Sequence, residues 1–229
     1  MNCAIVQPSY IPWRGYFHLI QKSDVFVFYD DVQYDKHGWR NRNRIKTANG
    51  PVWLTIPVAH KGNVVQHRHI NEIPIVWDQS WNSKHWATIR LSYGKAPHFK
   101  RYEGLLAGFY AQRPALLADF TIELTIALAR ELGLKTKFVR SSALSAKGEK
   151  TERLIAILRE LGADHYVSGP SAKDYIEDEL FRAAGIGLEY MTYDYPAYEQ
   201  LHPPFEAQVS ILDLLFSAGP EAPRFIWSP

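Results

Sequence analysis

Apolar residues at the start of the chain fall in two short runs separated by a mixed segment. Residues 3–7 (CAIVQ) break off at Pro8, whose fixed φ and missing N–H favour departure from a sheet. Residues 25–29 (VFVFY) are continuously apolar and close on Asp30 and Asp31, the pattern of a strand buried on both faces. Between them, residues 13–22 carry Phe17, Leu19 and Ile20 at helix-compatible spacing. Strand, loop, helix and strand in about thirty residues make one βαβ unit, which implies neighbouring parallel strands joined by a right-handed crossover.

The middle of the chain changes character. Residues 52–58 and 63–70 read as strands with His60, Lys61 and Gly62 between them, which predicts a hairpin. Residues 80–93, 102–112 and 115–132 read as helices; in the last, Leu116, Phe120, Leu124, Ala127 and Leu128 recur near the helical period and Gly133 is a stop signal. From residue 135 the alternation returns. Strands are expected at 137–140, 165–168 and 187–193, and helices at 151–161, 173–184 and 206–216. The expected fold is α/β in three layers: a mainly parallel, Rossmann-like sheet built from the two ends of the chain, with an inserted β-hairpin and helical segment. Residues 1–229 read as a single domain in which 32–134 form the insertion.

Composition supports this and removes other classes. A chain of 229 residues with 46% hydrophobic and 22% charged residues is an ordinary globular domain, not a disordered tail or a fibre. Lys+Arg 26 against Asp+Glu 24, interspersed, offers neither a nucleic-acid platform nor a polybasic membrane anchor. No segment approaches the roughly 18 consecutive apolar residues of a membrane span, and the first residues lack a basic region followed by an apolar stretch. The single cysteine, Cys3, excludes an intramolecular disulfide and reads as a buried, inert thiol. The expected location is cytoplasmic. Aromatics reach 14%, with 7 Trp and 13 Tyr, many beside Gly, Pro, His or Arg. The part of this excess not used in the core suggests an aromatic-lined cleft.

In a doubly wound sheet, ligands bind beyond the carboxyl ends of the strands. That gives weight to three strand exits: Gln7-Pro8-Ser9-Tyr10, Asp30-Asp31-Val32-Gln33, and Ser168-Gly169-Pro170-Ser171-Ala172-Lys173. Residues 9–15 enter a helix and could present free N–H groups to an anion. Residues 169–172 could do the same with Lys173 beside them, or form a plain turn and cap. A carboxylate of Asp30 or Asp31 could act as a general base, or pair with Arg40, Arg42 or Arg44. These arginines alternate, so an extended segment would set them on one face with Asn41 and Asn43 on the other. They suit carboxylate or phosphate recognition, or form a solvated charged edge. His67 and His69 have the spacing of two ligands on a strand, but no helical His-Glu pair or Cys pair completes a set, so no metal site is assigned and cofactors stay open. The aromatic loop 193–200 could wall the cleft, and Asp213, in mid-helix, reads as structural.

The run Gln7-Pro8-Ser9-Tyr10-Ile11-Pro12-Trp13-Arg14-Gly15-Tyr16-Phe17, then Asp30-Asp31-Val32-Gln33 and Trp39-Arg40-Asn41-Arg42-Asn43-Arg44-Ile45-Lys46, resembles the WbqC-like protein family. The resemblance continues through Lys150-Thr151-Glu152-Arg153-Leu154, Tyr166-Val167-Ser168-Gly169-Pro170-Ser171 and Ser210-Ile211-Leu212-Asp213-Leu214-Leu215-Phe216. Members are associated with bacterial gene clusters for O-antigen and related surface polysaccharides. The resemblance implies a transferase that passes an amino-acid or acyl group to an amine or sugar acceptor in lipopolysaccharide O-antigen or natural-product biosynthesis. Its donor would be an activated amino acid, an acyl thioester or a nucleotide-linked molecule. The alternative is a non-catalytic sugar- or nucleotide-binding module of the same pathway. A weaker similarity is to nucleotidylyltransferase-like folds, whose HxGH signature opens the first helix; aligned on Gly15, Trp13 and Tyr16 replace its histidines, so adenylyl transfer is not expected. On this reading Asp30 and Asp31 are catalytic. Gln7, Tyr10, Trp13, Tyr16, Gln33, Trp39, Arg40, Arg42, Ser168, Gly169, Ser171 and Lys173 bind substrate.

Overall fold

The computed structural model describes residues 1–36, 38–59, 68–77 and 80–227. Strand β1 (Asn2–Val6), helix α1 (Arg14–Gln21) and strand β2 (Val25–Phe28) form the opening unit, and the two strands pair in parallel with Cys3 beside Val25 and Val6 beside Phe28. After a long excursion the chain rejoins the sheet with β5 (Lys137–Arg140), and then adds α5 (Lys150–Leu161), β6 (His165–Ser168), α6 (Asp178–Ala183) and β7 (Gly187–Tyr190). The excursion holds β3 (Arg42–Thr47), β4 (Gly50–Thr55), α2 (Trp81–Tyr93), α3 (Phe99–Ala111) and α4 (Leu117–Glu131), and α7 (Ile211–Ala218) closes the series. The fold is α/β: a five-stranded parallel sheet in the order β5-β2-β1-β6-β7, a separate antiparallel hairpin β3-β4, and seven α-helices among the described residues.

The period of two explains why both faces of the sheet must be covered. Ala4, Phe26 and Phe28 point to one face, where Phe17 and Ile20 of α1, Leu124 and Leu128 of α4 and Leu212 of α7 pack on them. Cys3, Ile5, Val25 and Val27 point to the other, against Leu154 and Leu158 of α5 and Phe181 of α6. The first of these cores runs without a break into the excursion, taking in Ile45 and Leu54 of the hairpin and Tyr93 of α2.

Several elements differ from the sequence reading. The described hairpin joins β4 to β3, with Arg44 opposite Trp53. Its turn is tight, with Gly50 at φ +99°, a conformation suited to glycine. Residues 60–67, which hold the expected turn and His60 and His67, lie outside the described residues. The helix expected at 173–184 is divided: a 3-10 turn, Pro170–Asp174, precedes α6, because Ile176 is buried and the Glu177 N–H bonds Thr151 Oγ1 instead of continuing a helix. The last helix begins at Ile211, where Ser210 caps it, because the Glu206 backbone is held by Gln200. The last sheet strand ends at Tyr190.

Candidate functional site

Strand order reverses between β1 and β6, and there the sheet opens. β1 pairs with β2 along four residues, but with β6 only at Asn2 with His165 and Cys3 with Tyr166. Beyond that point the Tyr166 hydroxyl reaches the Ile5 carbonyl at 3.4 Å, standing in for the missing ladder. The strands part toward their carboxyl ends, where ligands of such sheets bind. The crevice is a cavity of about 490 Å³, floored by Val6 and Ser168, with Trp13, Trp39 and Tyr193 among its walls.

The loop leaving β1 is held in an unusual shape. Ile11 has φ +37°, a left-handed conformation that costs a β-branched residue energy. Asn43 Nδ2 donates to the Tyr10 and Ile11 carbonyls at 3.0 and 2.9 Å, and the Tyr10 N–H reaches the Trp39 carbonyl at 3.1 Å. At the far end the Ile211 N–H bonds the Pro12 carbonyl at 2.8 Å. Trp13 then folds across the first turn of α1 and meets Tyr193 edge-on, with ring centroids 5.0 Å apart. A Cβ on Gly15 would lie 2.3 Å from the Trp13 ring, so the indole occupies the space that any other side chain would need.

Arg40 is the charged group of the crevice. Its Nη1 donates to the carbonyls of Gln7 and Pro8 at 3.2 and 3.3 Å and to Ser9 Oγ at 3.2 Å, while its Nε is buried without a partner. Burial lowers its pKa from the ordinary guanidinium value. The carboxylate whose charge opposes that shift is Asp35. Tyr16 donates to the Gln7 carbonyl at 3.1 Å, and burial raises the pKa of its phenol. Tyr193 is pushed up to about 12, again by burial.

The structure brings some of the expected residues together and separates others. Trp13, Tyr16, Trp39, Arg40, Ser168, Gly169 and Ser171 share the crevice. Gln7 contributes its backbone carbonyl rather than a lining side chain. Tyr10 faces away: it is fully buried, with its hydroxyl 2.9 Å from His85 Nδ1 and also bonded to the Tyr110 hydroxyl. Gln33 forms a bridge with His69, Arg42 stacks 4.6 Å above Trp53, and Lys173 sits over the Tyr190 ring at 5.2 Å; none of the three lines the crevice.

Asp30 and Asp31 also lie outside it. They leave β2, one strand away from the reversal, and their carboxylates are taken by other groups. Asp30 is fully buried and accepts from the Ser142 N–H and hydroxyl at 3.0 and 2.9 Å. Asp31 pairs with Arg153 of α5 and accepts from the Ser141 hydroxyl. Their placement gives the general-base role no support and ties the exits of β2 and β5 to α5.

The crevice also contains Asn43, Tyr175, Tyr193 and Gln208, which the sequence reading did not list as binding residues, although the aromatic loop 193–200 was expected to form a wall. Tyr175 and Gln208 had no local signal, since each arrives from an irregular segment. Elsewhere, Asp213 accepts from Tyr93 and Tyr198 at 2.9 and 2.8 Å in the core, and burial raises its pKa. Cys3 is buried in β1, which pushes its thiol up to about 12. Among the described residues no group of three His, Cys, Asp or Glu side chains could hold a metal ion, and no helix is long and apolar enough to cross a membrane.

Comparison with known proteins places this geometry. The chain is 42% identical, over 97% of its length and 96% of the relative's, to the uncharacterized protein Rv1507c of Mycobacterium tuberculosis. No solved structure matches it. The WbqC-like family model matches residues 7–225, from the strand exit that begins the Arg40 tether to the end of the chain's last turn, so the chain belongs to the WbqC-like protein family.

Proposed function

We propose that the protein is a group-transferring enzyme that binds an anionic, activated donor in the crevice between β1 and β6 and passes an amino-acid or acyl group to an amine, carried by a sugar or another acceptor. In that reaction the acceptor nitrogen bonds the donor's carbonyl carbon. The bond from that carbon to the leaving group breaks, the leaving group takes the electron pair, and the nitrogen's proton passes to water. The observation that supports this reading is Arg40, a half-buried cation at the crevice whose Nη1 is held by the Gln7 and Pro8 carbonyls and whose Nε is buried without a hydrogen-bond partner. Such a charge is costly to bury, and an anion arriving beside it offsets the cost. Its service is electrostatic, because a guanidinium holds its proton near neutral pH. O-antigen or natural-product synthesis is the setting that the family resemblance suggests for it.

A second reading, a binding module without turnover, draws on one observation: the described residues lining the crevice include no Asp, Glu, His, Cys or Lys. Calorimetric titration with activated amino acids, acyl thioesters and nucleotide-linked donors, followed by mass-spectrometric search for product with amino-sugar acceptors, separates the two. The proposal expects product formation and donor binding at least tenfold weaker in Arg40→Lys, the loss of one charge-assisted fork. Binding with no product across the panel would instead establish the module.

A further inference from the structure

Trp39 and Trp53 leave 44% and 47% of their surfaces in water, although indoles gain much by burial. They come from different segments, the loop before β3 and the strand β4, yet their ring centroids lie 5.4 Å apart at a tilt of 32°. Cations flank one of the rings: the Arg42 and Arg44 guanidiniums stand 4.6 and 5.8 Å from the Trp53 ring centroid. Trp39 also lines the crevice, and the next residue, Arg40, places its guanidinium there. An exposed ring pair thus adjoins a half-buried cation at the mouth of the crevice.

We infer that the crevice takes a nucleoside phosphate, with its base stacked on the Trp39–Trp53 pair and its phosphate at Arg40; this deepens the donor-site reading above and rests on it. A ligand made of a flat ring joined to an anion uses both features at once. Inorganic phosphate or a sugar phosphate would use Arg40 and leave the indoles in water. A neutral sugar fits less well, because its many hydroxyl donors need acceptors and the described lining offers no carboxylate. The donors Ser9, Ser168 and Ser171 complement phosphate oxygens instead. The location agrees, since the crevice sits where strand order reverses, the mononucleotide-binding position of such sheets.

The full chain is titrated with the adenosine, guanosine, cytidine and uridine diphosphates, with ribose 5-phosphate and with inorganic phosphate, followed by calorimetry and tryptophan fluorescence. At least one nucleoside diphosphate is expected to bind tenfold or more tightly than ribose 5-phosphate and to quench the emission. Trp39→Ala should remove about tenfold or more of that affinity, the usual worth of a stacked base, and Trp39→Phe should restore most of it. Arg40→Lys should weaken nucleotide and ribose phosphate alike. Equal binding of ribose 5-phosphate and nucleotides, or unchanged affinity in Trp39→Ala, overturns the stacking inference while Arg40-dependent binding keeps the anionic-donor reading. If no phosphate-bearing ligand binds, the nucleoside phosphate inference falls, and the donor reading is decided by the separate titration with activated amino acids and acyl thioesters.

Discussion

The Asn43 side chain, on the inner face of the hairpin, holds the Ile11 carbonyl at 2.9 Å and with it the left-handed turn that shapes the crevice. Asn43 is fully engaged: its amide serves the Tyr10 and Ile11 carbonyls and its oxygen accepts from the Arg44 N–H at 2.8 Å. Asn43→Ala removes the donor from both carbonyls and should cost about 2–4 kcal/mol, the penalty for buried groups left unpaired. Urea unfolding measures this through a shifted midpoint at unchanged slope. A loss below about 0.5 kcal/mol, the usual size of a neutral surface change, would mean that the loop keeps its shape unaided.

Gly15 tests the role of Trp13. It lies in the first turn of α1, where Ala normally gains up to about 1 kcal/mol over Gly. Here the new Cβ would meet the Trp13 ring at 2.3 Å, so the indole must leave its seat. Gly15→Ala should therefore leave the fold near its original stability while weakening ligand binding in the crevice and shifting tryptophan emission. Unchanged emission and affinity together would show that Trp13 moves freely or does not contact the ligand.

The parts of the fold that follow from period and punctuation were legible, and the parts that depend on sheet order were not. Alternation in residues 3–6 and 25–28 suffices to set two buried parallel strands, because Ala4 and Phe26 require one covered face and Cys3 and Val25 the other. Strand β3 was hard to read because Arg42, Asn43 and Arg44 look like a solvated charged run, whereas Asn43 and Ile45 point into the core. Asn49-Gly50, a common hairpin signal, was the missed clue. Tyr10 was found in the right loop but on the wrong side of it, since the backbone turn at Ile11 decides where its neighbour points. Asp30 and Asp31 do lie at a strand exit; only the order β5-β2-β1-β6-β7 reveals that it is not the exit at the reversal.

Asp31 and Arg153 carry a prediction that separates scaffold from catalyst. Each side chain is only 18% exposed, so Asp31→Asn leaves a largely buried guanidinium without its counter-charge. A destabilisation of about 2–4 kcal/mol is expected, toward the range for breaking a buried pair. Turnover per folded molecule should survive. A loss of about 10²- to 10⁴-fold in turnover without loss of stability, the signature of a missing general base, would return Asp31 to the reaction.

His85 predicts how stability follows pH. It is buried beside Trp81 and Tyr110, its Nδ1 receives the Tyr10 hydroxyl at 2.9 Å, and its ring is hydrogen-bonded to the Thr55 backbone. Burial, only partly opposed by that bond to Thr55, brings its pKa from 6.5 down to about 4. The unfolded chain therefore takes up the proton near pH 6.5 while the folded protein refuses it until about pH 4. The unfolded state binds more protons across that window, so stability is full above about 6.5 and falls as the pH drops toward 4. At about 1.4 kcal/mol per pH unit the decline attributable to His85 is of order 3 kcal/mol. Carboxylates titrate in the same region, so the measurement is the difference between wild type and His85→Gln, an uncharged side chain that can still accept from Tyr10. The variant's unfolding free energy should fall less steeply between pH 6.5 and 4. Parallel curves would mean that the imidazole ionises in the folded protein as freely as in the unfolded chain, and that the Tyr10–His85 contact tolerates the charge.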